Sequence, residues 1–320
     1  MSIKYSEVDS EYREKIDKLF GVANCFIEVD PGKFLIPPKF KELGERILGL
    51  EVRPNDVWLA SYPRTGSTWT QEIVWCLTNN LDYDGAKLLS QMRAPIVELT
   101  AHVGNDQGDW EKIRPNSVDQ VENLPSPRCI RTHLPWDLLP LHINTVKPKI
   151  IYVARNPKDC CVSYYHLCRL LYYFNGTFED FCELFLHGKV AVGNMWEHVK
   201  EYWQRRSESN MLFLKYEDMI RNPLESVRTI SEYLGKDYSN EELRQLVDHT
   251  SFSKMRNNSA LNLEPIINQM YDSEKKRPDV KVIRKGQVGD WRNYMSNEMA
   301  DKFDELSREK WSNIGLTFDD

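Results

Sequence analysis

Between Asp56 and Leu77 an apolar run of strand length, Asp56-Val57-Trp58-Leu59-Ala60, passes through the hydroxyl-rich turn Ser61-Tyr62-Pro63-Arg64-Thr65-Gly66-Ser67-Thr68 into a segment where Trp69, Ile73, Cys76 and Leu77 repeat at helical spacing. A strand that turns directly into an amphipathic helix demands a layered α/β arrangement, because each element has to bury its apolar side against the other. A helix starting at Ser67 or Thr68 directs its unpaired N–H groups and the positive end of its dipole into the turn, where a phosphate or sulfate is stabilised. Arg64 adds a full charge, and Thr65, Ser67 and Thr68 add hydroxyl donors. The same composition also describes an ordinary strand-to-helix turn with a Ser/Thr cap, and this segment alone leaves both readings open. It is not the two-glycine nucleotide loop that ends in Lys-Ser/Thr. It has one glycine, Gly66, and without that pair the magnesium and γ-phosphate ligands of a kinase or NTPase are missing.

The alternation continues. Strand-like runs at Val57 to Ala60, Cys129 to Thr132, Lys149 to Ala154 and Met211 to Lys215 stand before or between amphipathic stretches. The latter predict helices over Thr68 to Asn80, Pro157 to Tyr173, Phe178 to Leu186, Asn194 to Ser207, Pro223 to Leu234, Glu241 to His249 and Ser296 to Trp311. The expected fold is therefore α/β, a central parallel sheet flanked by helices. With no internal repeat or Gly/Ser-rich linker, residues 1–320 read as one domain, with residues 1–50 contributing to a substrate pocket. Ala101 to Pro127 and Asn257 to Lys285 lack periodicity and read as lids or binding loops.

A formal charge of −6 argues against general nucleic-acid or membrane-surface binding, which relies on summed positive charge. Met1 to Glu7 are charged and polar where a signal peptide needs an apolar stretch, and no apolar run approaches membrane-spanning length. The seven cysteines form no Cys-x-x-Cys pair and read as buried reduced thiols, so a cytoplasmic protein is expected. The histidines show no metal-ligand spacing, and no metal is expected.

Three further segments carry candidate chemistry. Arg131-Thr132-His133-Leu134-Pro135 ends the Cys129 strand, where the carboxyl ends of an open sheet place ligands. Ile151-Tyr152-Val153-Ala154-Arg155-Asn156-Pro157 leads an apolar strand to an arginine and a Pro-initiated helix, with Ser163 eight residues past Arg155, a spacing at which the two can grip one phosphate. In Arg284-Lys285-Gly286 two cations precede a glycine that allows close backbone approach. Together they suit a ligand with two separate anionic ends.

These four segments, in this order, resemble the cytosolic sulfotransferases, whose phosphosulfate loop reads Tyr-Pro-Lys-Ser-Gly-Thr-Thr-Trp and whose late Arg-Lys-Gly precedes Gly-Asp-Trp. The similarity runs from about Arg53 to the C-terminus and includes Phe213 to Met219 and His249 to Phe252. Ser61-Tyr62 with Arg64, Thr70-Gln71-Glu72 and Met211 to Leu214 look most like the insect-type branch that includes retinol dehydratase. The resemblance implies 3′-phosphoadenosine 5′-phosphosulfate as cofactor, with adenosine 3′,5′-bisphosphate as product, and needs no metal. It implies that Arg64, Thr65, Gly66, Ser67 and Thr68 hold the 5′-phosphosulfate and that Arg155, Ser163, Arg284, Lys285 and Gly286 hold the 3′-phosphate. Trp69 and Phe252 would sandwich adenine, with Tyr216 and Thr250 at its edge. His133 would be the general base, Arg64 would stabilise the bridging oxygen, and Arg131 would hold the transferring group. Phe40, Tyr164, Leu167 and Tyr173, with Met270, would line an apolar pocket for a small hydrophobic phenol or alcohol.

The chain departs from the family in two places. Arginine replaces lysine at 64 and 131, keeping charge but not a readily donated proton. The family's dimer motif falls on Arg292, Ser296, Asn297 and Asp301, and Asn297 replaces an apolar valine, so a homodimer built that way loses a contact. Three competing readings remain at this point: a magnesium-dependent kinase, a non-catalytic adenosine-bisphosphate binder, and a dehydratase acting through a transient sulfate ester.

Overall fold

The structure is a computed structural model that describes residues 2–102, 116–268, 270–271 and 276–318. Parts of both expected lid segments, residues 103–115 and residues 269 and 272–275, lie outside the described residues. An N-terminal antiparallel sheet of β1 (Lys4–Glu7), β2 (Ile27–Asp30) and β3 (Phe34–Ile36) has the order β1-β2-β3. The main sheet holds β4 (Val57–Ser61), β5 (Cys129–Thr132), β6 (Lys149–Ala154) and β7 (Met211–Lys215), all parallel, in the order β5-β4-β6-β7.

All four strands were legible as strand-like runs, clearest in the two inner strands, which are buried on both faces. Every residue of β4 and every residue of β6 after Lys149 is buried. Successive side chains alternate between two cores: Trp58, Ala60, Ile130, Ile150 and Tyr152 pack on one face, and Val57, Leu59, Cys129, Ile151 and Val153 on the other. Helices Phe178–Leu186 and Pro223–Leu234 have the expected bounds. Pro157–Leu171, Met195–Gln204 and Ser67–Thr78 stop two or three residues short of expectation. Asn156 caps the first of these through Lys158 N–H, with Pro157 in the first turn, where its missing N–H costs nothing.

The N-terminal elements were not foreseen. β1 to β3 are three or four residues each, too short for an alternation to register, and the helix Ser10–Phe20 is charged along most of its length, burying only Ile16 and Phe20. No helix among the described residues is long and apolar enough to cross a membrane.

The strand order matters for the site. Pairing Ala60 with Thr132 sets Ser61 beside His133, and pairing Ala60 with Tyr152 and Ser61 with Val153 brings the turn after β4 alongside the end of β6. Both neighbours of β4 therefore deliver their carboxyl ends to the hydroxyl-rich turn, the place where open α/β sheets bind ligands.

Candidate functional site

A cavity of about 310 Å³ opens over this turn. Arg64, Gly66, Ser67, Thr68 and Trp69 line one side of it. Gly66 stands at the N-cap of Ser67–Thr78 with φ 108°, and no side chain caps that helix. Glycine is required twice over here, since the backbone is left-handed and a Cβ would lie 2.7 Å from the Tyr216 ring. The uncapped end leaves its N–H groups for an anion. Arg64, also left-handed at φ 73°, is held by Nε donating to Ser163 Oγ at 2.9 Å and Nη2 donating to the Val282 carbonyl at 2.6 Å. Burial, with the Arg155 and Arg284 charges nearby, brings its guanidinium down to about 10, so it remains a cation at neutral pH.

The opposite wall carries the second charge cluster. Arg155 donates to the Gln287 carbonyl at 2.8 Å and lies 4.4 Å from the Tyr216 ring, which also packs edge-on to Trp69. Arg284 and Lys285 each donate to Asp290, both at 2.6 Å. Burial would push the Asp290 carboxyl up, but hydrogen bonds from Lys285, Asn293 and Arg284 outweigh it and leave it at about 2. Asp159 accepts from Gly289 N–H at 2.7 Å and Trp291 N–H at 3.0 Å, which fastens this late loop to the start of Pro157–Leu171. The first turn of that helix thus supplies the anchor for a cation pair more than 120 residues away in sequence. Phe252, 37% exposed, turns a bare ring into the cavity, and a Cβ on Gly286 would meet it at 2.5 Å. Thr250 completes this wall, its hydroxyl donating to Leu246 O.

A group with two anionic ends and a flat body fits these walls, because three buried donors in them have no partner: Arg155 Nε, Arg284 Nε and Trp69 Nε1. Buried polar groups are rarely left so, and a ligand in the cavity would pair these three.

His133 occupies the other side of the turn. Its Nδ1 lies 2.7 Å from the Ser61 carbonyl; a carbonyl only accepts, so Nδ1 carries the proton and Nε2 keeps its lone pair. Its backbone N–H donates to Glu98 Oε1 at 2.6 Å, and Glu98 Oε2 accepts from Thr132 Oγ1 at 3.0 Å. Its carbonyl accepts from His198 Nε2 at 3.0 Å, and His198 Nδ1 in turn accepts from Tyr152 Oη at 2.8 Å. Burial, aided by the Arg131 and Arg64 charges and opposed by the Ser61 bond, pulls the His133 imidazole down to about 4. Burial pushes the Glu98 carboxyl up to about 7 despite its hydrogen bonds. The ring is thus a neutral, oriented acceptor. Glu98 and His198 escaped the sequence reading because neither belongs to a motif, and Ser61 and Tyr152, though inside two of its segments, had no role there; only the fold brings all four to His133.

Several expected site residues lie elsewhere. The Thr65 hydroxyl is within 2.8 Å of the Tyr62 and Val153 carbonyls, so it ties the turn to β6 instead of facing the cavity. Arg131 does not line the cavity either: Nε donates to the Ala94 carbonyl at 2.7 Å and Nη2 to Gln91 at 3.3 Å. Phe40, edge-on to Phe34, and Tyr164, whose hydroxyl donates to the Ala191 carbonyl, have essentially no accessible surface and belong to the core, not to a pocket wall. Leu167 is partly buried against that core. Tyr173 donates to the Met270 carbonyl at 3.1 Å and packs on Tyr271. Among possible metal ligands, Glu72, Cys76 and His249 converge in the fold although their spacing gave no sign of it. Glu72 already accepts from Arg93 and from His249 Nε2, so a protein cation stands where a metal ion would.

Residues 54–315 match the family described as the sulfotransferase domain. Luciferin sulfotransferase of Photinus pyralis is 36% identical, over 97% of this chain and 86% of that protein. Sulfotransferase 1C2 of Rattus norvegicus is 35% identical over 85% and 88%. A solved structure of retinol dehydratase with androsterone and the inactive cofactor PAP superposes with a TM-score of 0.87 at 30% identity, covering 99% of this chain and 98% of that one. An uncapped helix over a glycine turn, cations on the facing wall and an oriented neutral histidine at the neighbouring strand end are thus set in a chain that matches this family over most of its length, and the protein is an enzyme of the sulfotransferase family.

Proposed function

We propose that this chain, acting as one unit over residues 1–320, transfers a sulfuryl group from 3′-phosphoadenosine 5′-phosphosulfate to the hydroxyl of a small hydrophobic phenol or alcohol. The observation that carries the reading is His133 Nε2 left free beside the anion-ready turn, since Nδ1 is committed to Ser61. When bound, the nucleotide supplies sulfur in an activated S–O bond, which breaks to leave adenosine 3′,5′-bisphosphate as the acceptor oxygen attacks.

The protein's share is positioning and charge. The N–H groups at Ser67 and Thr68, with Arg64, hold the 5′ end. Arg155, Ser163, Arg284, Lys285 and the Gly286 backbone hold the 3′-phosphate, displacing the Asp290 contacts of the two cations. Trp69 and Phe252 clasp the base, with Tyr216 and Thr250 at its edge. His133 Nε2 takes the acceptor's proton, and the Glu98 and His198 bonds keep its backbone from shifting. Arg64 contributes charge and no proton, being still cationic at its lowered value of about 10. The likeness to retinol dehydratase at a TM-score of 0.87 favours one second reading, elimination from a transient sulfate ester.

The test is a thermal shift with adenosine 3′,5′-bisphosphate, then transfer of labelled sulfate to a panel of phenols and alcohols followed by mass spectrometry. Nucleotide stabilisation together with a labelled ester is the expected result. Tight nucleotide binding with no turnover would leave only a binder, magnesium-dependent phosphate transfer would mean a kinase, and an unlabelled dehydrated product would establish elimination.

A further inference from the structure

Near His133 lie a histidine and a tyrosine that no step above uses. Glu98 holds the His133 backbone, and His102 lies one helical turn further on, at the end of Leu99–His102. His102 Nδ1 and Tyr172 Oη are 2.7 Å apart. Tyr172 follows the last turn of Pro157–Leu171, the helix that also presents Ser163 to Arg64, and its N–H donates to the Cys168 carbonyl at 2.9 Å. Its ring meets Phe20 and Phe26 edge-on at 6.4 and 6.2 Å. His102 and His133 are near enough that a charge on one is felt by the other, as are Tyr172 and Glu98. His102 Nε2 is buried with no hydrogen-bond partner.

We propose that the His102–Tyr172 pair reads the far end of the acceptor, so that the substrate of this enzyme carries, across an apolar body from the hydroxyl facing His133, a second and uncharged oxygen. This rests on the transfer reaction proposed above. An acceptor ending in hydrocarbon would leave Nε2 buried and unpaired at the full desolvation cost of that group. A carboxylate or ammonium fits no better. Burial, with His133 adding to it, brings His102 down to about 3, so at neutral pH the ring has no charge to offer a desolvated ion. An alcohol satisfies Nε2 in either tautomer, and a carbonyl does so when Tyr172 donates to Nδ1. Phe20 and Phe26, packed edge-on against the tyrosine, keep its surroundings apolar.

Matched acceptors test this: a monohydroxy hydrocarbon, the same skeleton with a remote hydroxyl or ketone, and the same skeleton with a remote methyl. Each is titrated by calorimetry into the enzyme saturated with adenosine 3′,5′-bisphosphate and assayed for kcat and KM. The wild type is expected to favour the two-oxygen member by about ten-fold, the worth of one buried hydrogen bond, mainly through KM. His102→Ala and Tyr172→Phe, with melting curves confirming their fold, are expected to reduce that ratio to under about three-fold, and His102→Asn to restore part of it. Equal wild-type affinity for all three skeletons, or variants that weaken every skeleton by one common factor, would overturn the inference. Calorimetric preference without label transfer would support it while refuting the transfer reaction.

Discussion

The two halves of the site are built on opposite plans. The nucleotide half is open, permanently charged and made of local pieces: a turn, a helix end, and an Arg-Lys-Gly run. The histidine half is closed and neutral, and its members come from five separate stretches of chain, Ser61, Glu98, His133, Tyr152 and His198. Charge suits the first, because a polyanion has to be drawn out of water and held. Neutrality suits the second, because a base that spent its lone pair on a proton at neutral pH could accept nothing.

That contrast can be broken most decisively at His133. His133→Ala is expected to lower kcat by about 10³-fold while leaving adenosine-bisphosphate affinity within about three-fold; equal loss of both would merge the halves into one structural unit. Arg155→Ala should do the reverse, weakening the nucleotide by about 10- to 100-fold by calorimetry as a charge-assisted bond is lost, with a much smaller change in kcat at saturation. Glu98→Gln sharpens the picture of the closed half. It keeps the shape but trades an acceptor for an amide, and should cost about ten-fold in kcat with unchanged nucleotide binding. The pH profile separates the halves without mutation. If His133 is the base proposed above, it acts unprotonated, so kcat/KM for the free enzyme should rise with pH through about 4 and then level off, and an acid limb at 6.5 would mean that the ring is not desolvated. The smallest effect is expected at Gly66→Ala, a loss of about 1 to 3 kcal/mol in stability, read as a lower melting temperature that added nucleotide does not fully restore.

How much the chain disclosed depended on distance along it. The strand-turn-helix at Val57 to Thr78 was readable because apolar period, glycine and hydroxyls all lie within 22 consecutive residues. Arg155 with Ser163 was readable for the same reason, the two lying eight residues apart across the end of β6 and the helix that follows it. Thr65 misled because composition cannot tell a hydroxyl facing a cavity from one facing the Val153 carbonyl. Phe40, Tyr164 and Arg131 misled because an aromatic or a cation near a site looks alike whether its tip is exposed or spent on Phe34, Ala191 or Ala94.

Local order alone thus determined the parallel α/β fold and the anion-ready turn, since each follows from spacings of a few residues, and the family resemblance singled out His133 as the candidate base. Tertiary structure alone decided which nitrogen of His133 is free, why its ring stays neutral, that Asp159 fastens the Arg284–Lys285 loop, and that His102 meets Tyr172. Those outcomes depend on strand register and burial, which are set by contacts between residues tens to hundreds of positions apart, and no window of sequence contains them.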